Sequence, residues 1–215
     1  MTARERILKS ADKLFGTVGF ESASTREIAQ MSGINKALIH YHFKNKEALF
    51  DAVLDSYYDR LWKTLQTALE KPLPFRERFK HLVEVYIDFL AQNMNFAKMV
   101  QRESAGGRHI GKIRERMKPI FRAGREIIER EFPITKRGEF SAKRLLTSFY
   151  GMIVTYFTYS GVLEHLTGKK VLSTEELRKQ KNHIMSLLDI VIDKIERKSG
   201  KKERNKRPQM RNKGL

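Results

Sequence analysis

Residues 39–46 read IHYHFKNK and set two histidines, a tyrosine and two lysines within eight positions. On a helix, His40 and His42 are two residues apart and point in different directions. Histidines that share a metal from one helical face need a spacing of three or four. The only nearby acid is Glu47, and the chain has no cysteine, so no metal site is expected. A packed histidine pair and an anion-gripping surface remain as readings. If a helix begins after Asn35, Ile39 and Phe43 share one face with Ile34 just before it, and that face is expected to pack on Leu14, Ile28 and Ala29. Lys36, Ala37, His40 and Tyr41 then point outward. A helix entering the major groove of duplex DNA presents its N-terminal residues to base edges. Lys36 can donate to guanine, Ala37 permits close approach, and His40 can donate or accept. Tyr41, His42 and Lys46 fall further along, where hydroxyl, imidazole and ammonium donors suit phosphate oxygens. Thr25 adds a hydroxyl at the positive end of the preceding helix.

Positioning these side chains needs two short helices and a tight turn. Ser24 opens STRE with Glu27 three residues on, the pattern of a capping box. SGIN follows at 32–35, where Gly33 supplies the turn and Asn35 an N-cap. With a preceding helix striped by Ile7, Leu8, Ala11, Leu14 and Phe15, this predicts a helix-turn-helix.

Elsewhere almost every segment repeats apolar residues at helical spacing and no alternating strand pattern stands out, so the chain is expected to be all-α. A long helix runs from Asn45 to Leu69 and stops at Pro72 and Pro74. Helices follow around residues 79–90 and 96–100, over Ile113–Ile128 with an interruption at Pro119, and across the apolar stretches 140–166 and 177–195, giving about nine in all. The expected division is a helix-turn-helix domain over 1–46, a larger helical domain over 47–198, and a basic tail over 199–215.

The 215 residues carry 43 Lys+Arg against 25 Asp+Glu, a formal charge of +18, with mean hydropathy −0.52. Such a balance favours polyanions. Much of it sits past Glu196 in a segment too polar to pack and expected to be disordered. No stretch approaches the run of about 20 apolar residues that spans a bilayer. The N-terminus lacks the apolar core of a signal peptide, and a cytoplasmic location is expected. GGRHIGK at 106–112 matches GxxxxGK formally. Ile113 then stands in place of the magnesium-binding Ser or Thr, and no strand precedes it. His109 and the pair Glu164–His165 are isolated, with no nucleophile and orienting partner. Neither enzyme activity nor a cofactor is expected.

The run STREIAQMSGINKALIHYHFKNKEALF, preceded by RERILKSADKLFGTVGFESAS, resembles the DNA-binding domain of the TetR family of transcriptional regulators over about the first 50 residues. Phe15, Gly19, Thr25, Ile28, Ala29, Gly33, Lys36, Tyr41, Phe43, Lys46 and Leu49 fall where that pattern expects them. The resemblance implies a homodimer reading a palindromic operator in double-stranded DNA. Thr25, Tyr41, His42 and Lys46 would hold phosphates, and Arg26, Lys36, Ala37 and His40 would lie nearest the bases. Leu38 stands where a small residue or threonine is usual and His40 where tyrosine is usual, so no operator sequence is carried over. The remainder of the chain would bind a small-molecule effector, most simply releasing a repressor, and would form the dimer.

The residues agree with that division. Apolar side chains around much of the circumference at Phe157, Ile184, Leu187, Leu188 and Val191 suggest burial against a symmetry mate, with plain intramolecular core as the alternative. Tyr86, Phe89, Phe96, Met99, Phe121, Phe149, Tyr150, Ile153 and Tyr156 are the candidate lining of an apolar pocket, to which Glu103, Arg122 and Arg125 would add polarity. The rival readings are a helical RNA- or membrane-surface protein working through its basic segments, and a helical enzyme that retains a DNA module.

Overall fold

The computed structural model describes residues 1–200. Ten α-helices and one short 3-10 turn make up the described chain, with no strand. The basic segment from Lys201 onward lies outside it. Arg197 and Lys198, which belong to that segment by charge, instead finish the last helix.

Helix α1, Ala3–Val18, begins at a capping box in which Thr2 Oγ1 accepts from the Glu5 amide and Glu5 accepts from the Thr2 amide. Helices α2, Thr25–Ser32, and α3, Lys36–Phe43, follow. Ile7, Ala11, Phe15, Ile28, Ile39 and Phe43 are all buried, so the inward face expected from the sequence is the one that packs. Asn45 caps α4, Lys46–Leu69, by accepting from the Ala48 amide. The first turn of α4 buries Leu49 and Phe50 against α1 and so carries the three-helix module.

The body is built on α4. Pro72 and Pro74 end its course, and α5, Phe75–Gln92, packs back along it. Helix α6, Met94–Ser104, runs against α1, while α7, Ile110–Glu131, packs on α4 and on α8, Ala142–Thr158. A 3-10 turn at Pro133–Lys136 joins α7 to α8. Helix α10, Thr174–Lys198, lies on α5. A single apolar core runs from Ile7 to Ile195.

Two expectations about helix limits fail for local reasons. Pro119 does not interrupt α7. It sits on the exposed face, where the carbonyl left without its N–H need not be buried unpaired. The apolar run 140–166 is not one helix: it breaks at Tyr159 before Ser160 and Gly161, and α9 is the separate Ser160–Thr167.

Candidate nucleic-acid interface and apolar pocket

Helix α2 and its turn into α3 are fixed by four side chains and one glycine. Ser24 and Glu27 form the capping box at the start of α2, with the Ser24 amide 3.0 Å from Glu27 Oε2. Those hydrogen bonds hold the Glu27 carboxyl below its ordinary value. Gly33 ends the helix at φ 64°, a left-handed conformation that glycine adopts without steric cost. The Arg6 guanidinium donates to the Ser32 carbonyl at 2.6 Å. Asn35 caps α3, its Oδ1 accepting from the Ala37 amide at 2.9 Å.

On α3 so placed, Lys36, Ala37, Leu38, His40 and Tyr41 are exposed, Tyr41 to 79%. Arg26 is exposed on α2, and Thr25 is half-buried at its first turn, where free amides face outward. His40 and His42 diverge. His42 is half-buried with its ring 5.3 Å from Tyr41 and 6.1 Å from Phe43. One side chain missed by sequence reading joins the rim: the Arg4 guanidinium stacks 5.3 Å over the Phe43 ring.

Lys46 differs from expectation. Its ammonium donates to the carbonyls of Phe20, Glu21 and Ala23 at 3.0, 3.3 and 3.0 Å and lies 4.4 Å from the Phe20 ring centroid. Three N–H donors meet three backbone acceptors, so in this conformation none is left for a phosphate. Lys46 instead ties the α1–α2 loop to α4.

The family described as Bacterial regulatory proteins, tetR family, matches residues 7–53. The N-terminal module is a TetR-family domain. Across 53 residues the chain is 38% identical to the tetracycline repressor protein class C of Escherichia coli, covering 25% of this chain and 24% of that protein. It is 29% identical over 97 residues to the HTH-type transcriptional activator FasR of Mycolicibacterium smegmatis, covering 45% of this chain and 44% of the relative. The chain thus spans about half the length, or less, of the curated relatives it matches. The whole fold is similar to that of the fatty acid degradation regulator FadR from Bacillus halodurans, with a TM-score of 0.70 at 18% identity over 87% of this chain and 95% of that one.

The TetR-type module is bound to the body by polar contacts that sequence reading did not find. Arg102 of α6 reaches the C-terminal end of α1 and donates to the carbonyls of Phe15, Gly16 and Thr17 at 3.2, 3.2 and 3.0 Å. Gly16 lies so close to Asn95 that a Cβ would stand 2.5 Å from its side chain. Glu103 and His109 form a buried pair, Nδ1 to Oε2 3.1 Å, against the rings of Phe20 and Phe50. Arg108, just before α7, and Lys112 and Arg116 on it recur every four residues and meet Glu47, Asp51, Asp55 and Asp59, which recur every four residues on α4. The P-loop look-alike is thus a corner between α6 and α7, with Lys112 committed to Asp55 at 3.2 Å.

Helices α4, α5, α7 and α8 frame a partly open cavity of about 140 Å³. Of the sequence candidates, Tyr86, Phe121, Phe149, Tyr150 and Ile153 line it. Phe89, Phe96 and Met99 do not: they are core, with Phe96 packed on Tyr57 and Tyr58. Tyr156 lies elsewhere and donates to the Val171 carbonyl at 2.6 Å. Glu103 pairs with His109 rather than adding polarity here, and Arg122 and Arg125 face solvent. Trp62, Leu65, Phe79, Met117, Gly124 and Leu146 complete the wall. Burial raises the phenols of Tyr86 and Tyr150 above their ordinary value, so both remain neutral donors.

The expected dimer residues need revision. Phe157, Ile184 and Leu188 are 2%, 1% and 1% exposed within one chain and cannot supply an interface. Leu187 and Val191 are half-buried, whereas Ile190 between them is 65% exposed. Among the described residues no group of three His, Cys, Asp or Glu is arranged for a metal ion, and no helix is long and apolar enough to cross a membrane.

Proposed function

We propose that the chain is a homodimeric, effector-responsive transcriptional repressor that reads a palindromic operator through α3. The observation that carries this is the split of α3 into a buried side, Ile39 and Phe43, and an exposed polar side, Lys36, His40 and Tyr41. That side stands on a turn capped at both ends and is fit for the major groove. Lys36, Ala37, His40 and Arg26 read bases. Thr25, Tyr41 and His42 hold phosphates, and Lys46 supports them through the α1–α2 loop. The relative named as a tetracycline repressor agrees with repression. The relative named as an activator is the reason to measure the sign directly, with a reporter gene behind the selected site.

The effector site is the cavity at α4, α5, α7 and α8. Helix α7 supplies its wall through Met117, Phe121 and Gly124 and is paired to α4 through Lys112 and Arg116. An occupant that displaces α7 therefore biases the helix carrying the DNA module. Regulation follows if the effector binds better to the dimer whose recognition helices are wrongly spaced for successive major grooves. The second copy packs on the exposed sides of α8 and α10, around Gly151, Leu187 and Ile190, as an isologous contact. Selection of fragments from random duplex DNA, with and without small-molecule extracts, tests the reading. A palindromic site recovered by the protein and released by an extract supports it. Binding without sequence preference would refute it.

A further inference from the structure

The Tyr58 side chain of α4 is 2% exposed, yet its hydroxyl meets no hydrogen-bond partner among the described residues. A buried donor left unpaired is costly, and folded proteins rarely retain one without a purpose. Tyr58 does not line the main cavity itself but borders a void of about 10 Å³ that shares walls with it. That void is lined by Tyr58 together with Leu61, Tyr86, Met117 and Tyr150, and these last four also line the main cavity. The Tyr86 and Tyr150 rings stack beside it with centroids 6.4 Å apart. Burial, and the opposition of each phenol to its neighbour's ionisation, keeps Tyr58 and Tyr86 protonated. This end therefore offers O–H donors, while no Lys, Arg or His lines either space. The opposite wall, with Trp62, Leu65 and Phe79, is apolar.

We propose that the effector is a neutral, compact molecule with an apolar body and one oxygen acceptor, such as an aromatic ketone, aldehyde or ester, whose oxygen accepts from Tyr58 Oη. The inference rests on the cavity being the effector site. The absence of any cation in the lining excludes a carboxylate, which would be desolvated there without a partner. A cavity of about 140 Å³ is close to the roughly 150 Å³ apolar cavity that accepts benzene, so a ring with a short substituent fits.

Titration calorimetry of the full chain with ethylbenzene, acetophenone and benzoate tests this, because the three differ at one group. Both neutral probes are expected to bind, and benzoate is not. In Tyr58→Phe, ethylbenzene affinity is expected to stay within about twofold, and the acetophenone-to-ethylbenzene affinity ratio to fall about tenfold, the size of one buried hydrogen bond. Removing a hydroxyl that has no partner leaves the fold intact. Trp62→Ala, which enlarges the apolar wall without touching the donors, is expected to change both affinities and leave their ratio alone. An unmoved ratio in Tyr58→Phe, as when a water satisfies the phenol, overturns the inference. So does benzoate binding tightest. If neither neutral probe binds, the cavity reading falls with it; if both bind and the ratio is unmoved, the inference alone falls.

Discussion

The guanidinium of Arg102 lies 3.2 Å from the carbonyl oxygen of Phe15, so a cation from the body closes the C-terminal end of the first helix of the DNA module. The last carbonyls of a helix lack their usual partners within it and carry partial negative charge, and Arg102 donates to three of them at once, the Phe15 carbonyl also accepting from the Gly19 amide. The module is thereby joined to α6 as well as to α4, and movement of the body reaches it by two routes.

Arg102→Met keeps the aliphatic stem and removes the donors. Hydrogen bonds from a charged group contribute about 1.5–3 kcal/mol, so unfolding in urea is expected to show a loss of about 2 kcal/mol with the slope unchanged. An unaltered midpoint would mean that the contacts are idle.

Gly33→Ala places a Cβ 2.8 Å from the Arg6 guanidinium and in a left-handed conformation. A cost of about 1–2 kcal/mol is expected. Because the strain falls on the turn that aims α3, DNA affinity should fall further than stability does. Equal losses in parallel denaturation and DNA-binding titrations would contradict that placement.

Ile190→Glu puts a charge on the most exposed apolar residue of α10. In light scattering after gel filtration the wild type is expected at twice the chain mass and the variant at the chain mass. Operator affinity should fall at least about a hundredfold as the two half-sites lose their linkage. A dimer that survives the charge would place the interface elsewhere.

Burial raises the phenols of Tyr57, Tyr58, Tyr86, Tyr150 and Tyr156 above their ordinary value, with the Asp12 carboxylate adding to the effect at Tyr57. In the unfolded chain they ionise near pH 10. The folded chain thus holds more protons above that pH, and these groups contribute stability that is present below it and lost as pH rises. Tyrosinate absorbance in an alkaline titration is expected to show these five of the seven tyrosines ionising only as the fold is lost. Their ionisation near pH 10 with helicity intact would contradict the burial.

What was legible in the sequence is what local chemistry at fixed spacing determines. Ser24 with Glu27, Gly33 and Asn35 each act within three residues of themselves, and all four act as read. The inward pair Ile39 and Phe43 follows from helical period alone. Periodicity does not say which helix lies opposite. Tyr86 and Phe89 sit three apart on α5, yet one faces a cavity and the other solid core. Ile184 and Leu188 were as apolar as an interface requires, and the chain's own core used them. Lys46 was given its amine by the sequence, but only folding curls the carbonyls of residues 20–23 beneath it. The four-residue ladders on α4 and on α7 with the turn before it are visible in the sequence as charges; their pairing needs the two helices side by side.

The central claim is that α3 reads sequence, and it is tested most directly by comparing affinities for the selected duplex and for its single-base variants in wild type, Lys36→Ala and Tyr41→Phe. Lys36→Ala is expected to lose discrimination at one base pair, worth about 1–3 kcal/mol, while Tyr41→Phe weakens all sequences alike. If both variants keep the wild-type pattern, and removal of residues 201–215 abolishes binding, then the basic tail holds the DNA and the assignment of α3 is wrong.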